Sequence, residues 1–329
     1  MDIFNGKTKY TNIALFAALT GCIFMVVLPD IALLSAQKGI ALWAGSILPA
    51  LLPFFICVGF MNSLGITEYL PRGLFVFTMS VLAGYPMGAR IIGDMVRKGE
   101  IDLYEARRLI SFASTSGPTF LLGAVGAGML GSHEAGIVIA AAHYAAALMT
   151  GAVFCSILAA VSGSRRHSSV KKGVKKSIYA GSLDPSCRSG GIKPAQPDLF
   201  TIFTDSILSA LKSLGIVLAY IVMFMFITDL VQFSGILNIF DEPYMKAVFK
   251  GLFEMTVGCS AVSKMLISID LKTIISAFLV SFGGISVIGQ SLSMLAESGV
   301  GAPYFISVKL CHGTLAAFTA WILLHFIAV

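Results

Sequence analysis

The chain alternates between long apolar segments, most of them free of charge, and short polar breaks. A helix that crosses a bilayer needs about 20 mostly apolar residues, and the pattern predicts seven such spans. They cover residues 10–29, 39–67, 109–130, 135–161, 215–237, 273–296 and 304–328. Lys7 and Lys9 precede the first span and place the N-terminus inside; a signal peptide is the alternative, but no convincing cleavage site follows. We expect residues 30–38 to form a polar break and residues 199–214 an amphipathic helix.

Two further segments are apolar but do not fit an ordinary span. Residues 73–97 contain Gly84-Tyr85-Pro86-Met87-Gly88, and residues 244–265 contain Lys250, Glu254 and Gly258. Proline and glycine interrupt helices, and non-helical backbone is tolerated at membrane depth only where it is buried in protein or lines a cavity. We therefore predict two re-entrant hairpins with tips near residues 84–88 and 254–258. A kinked ordinary span is the alternative for the first.

Each predicted hairpin precedes a span that is itself broken, by residues 114–119 in the first case and by residues 283–286 in the second. Residues 162–193 carry eight Lys or Arg and one Asp, a net charge of +7, which places this loop in the cytoplasm. The first hairpin then opens to the cytoplasm and the second to the other side. Such an inverted repeat is typical of secondary transporters, whose discontinuous segments form a midplane substrate site.

The predicted fold is therefore an all-α polytopic membrane protein with about seven transmembrane helices and two re-entrant hairpins. Residues 1–70 form the N-terminal spanning helices, and residues 71–161 form the first repeat. The basic cytoplasmic loop covers residues 162–198, and the second repeat covers residues 199–329.

Composition supports this fold class. Hydrophobic residues make up 57% of the chain and charged residues 12%, against about 45–50% and about 25% in soluble domains. That excludes an ordinary cytosolic enzyme, a disordered chain and, despite the net charge of +6, a nucleic-acid binder. The sequence contains no G-x-S-x-G, H-E-x-x-H or C-x-x-C motif and no Cys/His cluster with zinc spacing. We expect no enzymatic activity, no metal site and no cofactor.

Ionisable residues at membrane depth are functional hypotheses by default. The Arg90 guanidinium can bind a carboxylate through two hydrogen bonds; the alternatives are a structural pair with Glu254 or snorkelling to the surface. Glu254 suggests either proton coupling or an Arg90 partner. The hydroxyls of Ser114, Thr115, Ser116 and Thr119 can donate hydrogen bonds to carboxylate oxygens; the alternative is that they bond to backbone carbonyls of their own helix. Lys309, His143 and His312 also lie within spans, where such residues often link helices.

Several motifs resemble the YlbJ/SpoVV family of sporulation membrane proteins. The similarity is carried by Leu48–Ile56, Ala83–Arg90, Ile110–Pro118, Ala142–Tyr144 and Gly251–Thr256. This resemblance implies a nucleoside-recognition gate domain and movement of dipicolinic acid from the mother cell toward the developing spore. It also implies a location in the mother-cell or outer forespore membrane.

A more distant resemblance is to the concentrative nucleoside transporters. Residues 84–88 match the tip of their first hairpin, residues 112–124 their broken span, residues 253–255 their Asn-Glu-Phe motif and residues 281–289 their second break. Tyr85-Pro86-Met87 replaces the base-binding Gln-Thr-Glu of that family. The arguments from single residues and the two resemblances together predict these substrate-binding residues: Gly84, Tyr85, Pro86, Met87, Gly88, Arg90, Ser114, Thr115, Ser116, Gly117, Thr119, Glu254, Thr256, Gly284 and Ser286.

These observations lead to one main functional expectation and two alternatives. We expect a transporter of an anionic small molecule, dipicolinate, that works by alternating access in a lipid bilayer. A nucleoside-type transporter and a non-transporting interaction protein for spore maturation are the alternatives. The coupling ion, proton or sodium, is left open, and a homo-oligomer is expected by resemblance alone.

Overall fold

A computed structural model describes residues 2–65, 70–163 and 198–327, and every regular element in these ranges is helical. The basic loop predicted at residues 162–198 lies almost wholly outside them. The α-helices are α1 (Asp2–Val27), α2 (Pro29–Leu42), α3 (Leu48–Ser63), α4 (Arg72–Ala83), α5 (Met87–Arg97), α6 (Leu103–Ile110), α7 (His133–Gly163), α8 (Leu199–Phe233), α9 (Pro243–Phe253), α10 (Met255–Ser263), α11 (Ile269–Phe282), α12 (Gly284–Met294) and α13 (Ala302–Ile327). Two π-helices cover Trp43–Ile47 and Thr119–Leu130, and two 3₁₀ turns cover Ile236–Ile239 and Ala296–Ser298.

Long apolar helices make the chain an integral membrane protein. Four helical segments in the described ranges are long and apolar enough to span a bilayer: His133–Val161, Leu199–Phe233, Ile269–Met294 and Ala302–Phe326. The bent pair Leu15–Val27 and Pro29–Gly45, with 103° between its two parts, would make a fifth. The remaining apolar helices are shorter, so the predicted total of seven spans stays a prediction.

The structure corrects two predicted boundaries. Residues 30–38 belong to helix α2 rather than to a polar break. Pro29 lies in the first turn, where proline is tolerated, and the polar side chains of Ser35 and Lys38 donate hydrogen bonds to Asp229 of α8 at 2.7 and 3.2 Å. The boundary predicted after residue 214 is also wrong. Helix α8 continues through Gly215, where a single glycine does not end a helix.

Helices α4 and α5 fold back on each other, and we call this turn the first reversal. The hydroxyl of Ser80 lies 2.9 Å from the position that a Cβ of Gly88 would occupy. In a continuous helix, eight residues would separate the two positions by about 12 Å. The turn consists of Gly84, with φ +77°, followed by Tyr85 and Pro86. The break therefore falls within the predicted tip.

Helices α9 and α10 form the second reversal. The backbones of Gly251 and Gly258 touch, although seven helical residues would separate them by about 10 Å. Only Glu254 lies between the two helices, and its backbone is extended. This break also falls within the predicted tip. Whether either reversal re-enters a bilayer stays a prediction.

Each reversal packs against a helix break in its own half of the chain. The backbone of residues 114–117 is non-helical between α6 and the π-helix Thr119–Leu130, and Gly84 lies against Gly117 there. In the second half, Gly283 and Gly284 have φ +85° and +74° and separate α11 from α12. A Cβ on Gly284 would lie 3.0 Å from the carbonyl oxygens of both Gly251 and Phe253.

The two halves also interlock. Helix α3 packs against α8 and α7 packs against α13, so that helices in corresponding positions of the two halves are neighbours. The end of α5 lies beside the end of α12, where Gly93 faces the carbonyl of Met294. In turn, α10 packs against the π-helix Thr119–Leu130, and Met265 and Leu130 belong to one apolar cluster.

Candidate functional site

A cavity of about 230 Å³ lies where the two reversals meet the first broken segment. Helices α2, α3, α8 and α12 and the two π-helices complete its wall. Aromatic and aliphatic side chains dominate the lining, among them Phe54, Phe120, Met129 and Val287. The polar part of the wall comes from both halves of the chain.

Seven of the predicted site residues line this cavity: Gly84, Tyr85, Ser116, Gly117, Thr119, Glu254 and Thr256. Eight do not: Pro86, Met87, Gly88, Arg90, Ser114, Thr115, Gly284 and Ser286. The sequence therefore indicated the segments that surround the cavity, whereas only the fold shows which side chains face it.

Two glycines of the first reversal have a packing role. A Cβ on Gly84 would lie 2.6 Å from the backbone nitrogen of Gly117, and a Cβ on Gly88 would collide with the carbonyl oxygen of Ala113. Beside them, the Ser80 hydroxyl donates to the Ala113 carbonyl at 2.5 Å and accepts from the Thr115 hydroxyl at 3.0 Å. Through the close backbone approaches of Gly84 and Gly88 and the hydrogen bonds of Ser80, the first reversal fixes the non-helical segment that forms one cavity wall.

Glu254 presents a carboxylate to the cavity while it caps α10. Its side chain is 97% buried, and Oε2 accepts hydrogen bonds from the backbone N–H of Thr256 at 2.7 Å and of Val257 at 3.0 Å, and from the Thr256 hydroxyl. A side-chain oxygen at this position satisfies N–H groups that the first helical turn leaves unpaired. No described residue donates a hydrogen bond to Oε1. One oxygen is thus structural, and the other is available to a ligand.

Lys309 of α13 lies directly behind the cavity wall. It is fully buried, and its ammonium donates to the Tyr85 hydroxyl at 2.7 Å and to the Ser114 carbonyl at 3.2 Å. The ammonium nitrogen is also 4.3 Å from the centroid of the Tyr85 ring. The Tyr85 hydroxyl donates onward to the carbonyl of Val280 at 3.2 Å. Tyr85 therefore belongs both to the cavity wall and to a buried polar network.

The same network continues through two histidines. The backbone N–H of Ser116 donates to Nε2 of His143 at 2.8 Å, so the proton of His143 is on Nδ1, which donates to the Ser281 hydroxyl at 2.7 Å. His312 donates from Nε2 to the carbonyl of His143 at 2.9 Å, and the two rings lie 4.6 Å apart. The network joins the first reversal, the first broken segment, α7, α11 and α13.

Arg90 faces away from the cavity. Its guanidinium lies 4.8 Å from the centroid of the Phe55 ring of α3 and donates to the Ser209 hydroxyl of α8 at 3.0 Å. The residue is 95% buried, and its Nη1 has no hydrogen-bond partner among the described residues. Glu254 forms no ion pair with it. Arg90 thus links α5 to α3 and α8.

Gln290 lines the cavity but was not among the predicted residues. It lies on α12 and donates from Nε2 to the Ser286 hydroxyl at 3.2 Å. The two positions are four residues apart and share a helix face. A polar pair at that spacing in an apolar helix was the sequence signal for Gln290. For Lys309 and His143, the signal was a basic side chain within a span.

Within the described ranges, no three His, Cys, Asp or Glu side chains come together as metal ligands do.

The chain is similar to the sporulation integral membrane protein YlbJ of Bacillus subtilis (strain 168). The two sequences are 27% identical over an alignment of 334 positions, gaps included, and this alignment covers 89% of this chain and 80% of the other protein. This similarity supports the family resemblance seen in the motifs. No family model matches the chain, and no solved structure matches it.

Proposed function

We propose that this protein is a carrier in a membrane of a sporulating bacterium and moves a small organic anion by alternating access around the cavity. The observation that supports this most directly is the origin of the cavity wall. Discontinuous segments from both halves, the two reversals and residues 114–117, meet there. Such segments form the substrate site of many secondary transporters. By family resemblance, the carrier acts in the mother-cell membrane or the outer forespore membrane.

The size and lining of the cavity favour a ligand with a single ring. Its volume of about 230 Å³ is below the range of about 300–1,000 Å³ that is usual for drug-sized ligands. Phe54, Tyr85 and Phe120 offer aromatic surface, and the glycines Gly84 and Gly117 bring backbone close to the ligand. An aromatic dicarboxylate fits this description, and dipicolinate is the one that the resemblance implies.

Glu254 determines in which form a dicarboxylate enters. Two unprotonated carboxylates in one buried site repel each other strongly, and Arg90 is not placed to neutralise either. We therefore propose that substrate and Glu254 share one proton, bound between a substrate carboxyl group and the free Oε1. The coupling ion of the carrier is then a proton.

One observation favours a second candidate substrate. The free Oε1 of Glu254 is a hydrogen-bond acceptor, and sugar hydroxyls are suitable donors. A nucleoside would place such hydroxyls there. The alternative of a nucleoside carrier is therefore kept in the test, with uridine as the probe.

Uptake into proteoliposomes tests the proposal. The full chain is reconstituted, and uptake of labelled dipicolinate and of labelled uridine is measured with and without an inward proton gradient. The variant Ala124→Trp fills the cavity, whereas Ala141→Trp adds the same side chain at an exposed position of α7 outside it. We expect dipicolinate uptake in wild type and in Ala141→Trp, and its loss in Ala124→Trp.

Three outcomes would contradict the proposal. Uptake of uridine with equal or greater efficiency would replace the proposed substrate by a nucleoside. Equal loss in both tryptophan variants would mean that the cavity is not the transport site. Absence of uptake for both compounds would favour the remaining alternative, a membrane interaction protein without transport activity.

A further inference from the structure

Lys309 is a buried basic side chain that forms no ion pair with any described residue. Its side chain is fully buried, and the ion pairs among the described residues join Lys38 to Asp229, Arg72 to Glu105 and Arg97 to Asp94. Its direct partners, the Tyr85 hydroxyl and the Ser114 carbonyl, are both uncharged. A buried charge without an opposite charge is strongly unfavourable.

The neighbouring ionisable groups do not supply a negative charge either. His143 accepts a hydrogen bond on Nε2 and donates from Nδ1, so it is a neutral imidazole in this arrangement. His312 donates to a backbone carbonyl, and Tyr144 donates its hydroxyl proton to the carbonyl of Ser116 at 3.0 Å. The direct surroundings of Lys309 therefore consist of dipoles, and an anion that stabilises its charged form has to come from outside this set of groups.

The cavity adjoins Tyr85, and a bound ligand there can supply such an anion. Tyr85 lines the cavity and contacts Lys309 through both its hydroxyl and its ring. The Ser114 carbonyl belongs to the same non-helical segment as Ser116 and Gly117, which also line the cavity. Lys309 is thus anchored to two elements of the wall, and one aromatic side chain separates its ammonium from a ligand.

We propose that Lys309 is the counter-charge of the transported anion and acts on it across Tyr85. The inference rests on the proposed transport function and adds a residue that selects for charge. A carboxylate in the cavity would stabilise the buried ammonium, and the ammonium would stabilise the carboxylate. An uncharged molecule of the same shape would gain nothing from this lysine.

The test compares a charged and an uncharged ligand of nearly the same shape. Pyridine-2,6-dicarboxylate and its diamide are titrated into the purified full chain in detergent, with calorimetric detection. Lys309→Met removes the charge with little change in volume. The matched control is Lys272→Met, because Lys272 also donates to a backbone carbonyl, that of Ser263 at 2.9 Å, but does not line or contact the cavity.

The expected result is a charge-selective loss. Two unit charges on opposite sides of an aromatic ring, at an effective dielectric constant of about 20, correspond to a change in affinity of roughly tenfold to thirtyfold. Lys309→Met should lose that much affinity for the dicarboxylate and less than about threefold for the diamide. Lys272→Met should bind both ligands like wild type.

Each other outcome overturns the inference. Equal loss for both ligands in Lys309→Met means that the lysine only supports the wall. If Lys309→Met does not fold, the comparison of the two ligands in the wild-type protein tests the inference instead. The wild-type protein should then bind the dicarboxylate at least about tenfold more tightly than the diamide. Equal wild-type affinities reject the charge role but leave the carrier in place, whereas no binding of either ligand rejects the proposed function itself.

Discussion

Arg90 and Lys309 are both buried basic residues, yet only Lys309 contacts a side chain of the cavity wall. The sequence analysis favoured Arg90 because it follows the tip of the first predicted hairpin. Helix α5 does have a polar face, formed by Arg90, Asp94 and Arg97 at helical spacing. Arg90 on that face contacts α3 and α8 and not the cavity, which the spacing alone does not reveal. Lys309 carried the same signal, a charge within a span, but its proximity to Tyr85 depends on how α13 packs against the first half. That packing has no local sequence pattern.

Replacement of Arg90 tests its placement outside the site. Arg90→Met keeps apolar contact with Phe55 and removes a buried guanidinium whose Nη1 has no partner. Apolar replacement of a buried charge is often neutral or stabilising. We expect a free energy of unfolding within about 1 kcal/mol of wild type and unchanged affinity for the dicarboxylate. Thermal unfolding and calorimetry measure the two, and a tenfold loss of affinity in a folded variant would return Arg90 to the site.

Two substitutions of Glu254 test its role as the cap of α10. In Glu254→Gln the amide oxygen can keep the bonds from Thr256 and Val257, whereas Glu254→Ala loses the cap. The loss of such a cap typically costs about 1 kcal/mol. We expect Glu254→Ala to be destabilised by roughly that amount and Glu254→Gln to unfold like wild type. Equal unfolding of both variants and wild type in a thermal melt would show that the cap contributes nothing.

The two reversals were predictable as elements because glycine, proline and charge interrupt otherwise apolar segments at residues 84–88 and 254–258. Their limits were less predictable. Helices α5 and α10 begin at Met87 and Met255, since the glycines that follow are needed for close packing and not for the turn. Helix α2 was not predicted. Its polar residues were interpreted as a break between spans, although Ser35 and Lys38 donate hydrogen bonds to Asp229 of a helix far away in the sequence.

Glycine packing inside the two reversals predicts how alanine substitutions there change the thermal stability. A Cβ on Gly88 would meet the backbone of Ala113, and a Cβ on Gly258 would meet the backbone of Gly251. Overpacking of this kind typically costs about 1–3 kcal/mol, so Gly88→Ala and Gly258→Ala should both lower the thermal stability. The control is Gly215→Ala in α8, where nothing lies within 4 Å of the added Cβ. It should be neutral or slightly stabilising, and a stability loss equal to that of the other two would contradict the packing argument.

At the scale of the whole molecule, the order of reversals and helix breaks along the chain was predictable and the mode of assembly was not. Two units of the same order, reversal followed by broken helix, are visible in the sequence. That α3 pairs with α8 and α7 with α13 depends on contacts between residues more than 100 positions apart. The two halves also touch near the ends of their helices, because α5 packs against the 3₁₀ turn Ala296–Ser298 that follows α12. Segments that touch at their ends must lie on the same side of a membrane.

Accessibility of single cysteines tests this arrangement together with the inverted repeat. Lys98, after α5, and Glu297, after α12, should face the same side as Ser169 of the basic loop, which lies outside the described residues. Asp241, before the second reversal, should face the opposite side. In a background without the six native cysteines, the variants Lys98→Cys, Glu297→Cys and Ser169→Cys should react with a membrane-impermeant maleimide only in inside-out vesicles.

Asp241→Cys should react only in right-side-out vesicles, because α8 lies between the basic loop and the second reversal and is long and apolar enough to span a bilayer. If the variants at Lys98 and Asp241 reacted from one side, the two reversals would open in the same direction and the repeat would be parallel. If Lys98→Cys and Glu297→Cys reacted from opposite sides of the membrane, the result would contradict the packing of α5 against Ala296–Ser298 itself. An inverted arrangement is the one in which the cavity between the reversals can open alternately to either side, so this labelling pattern also decides whether alternating access is available to the chain.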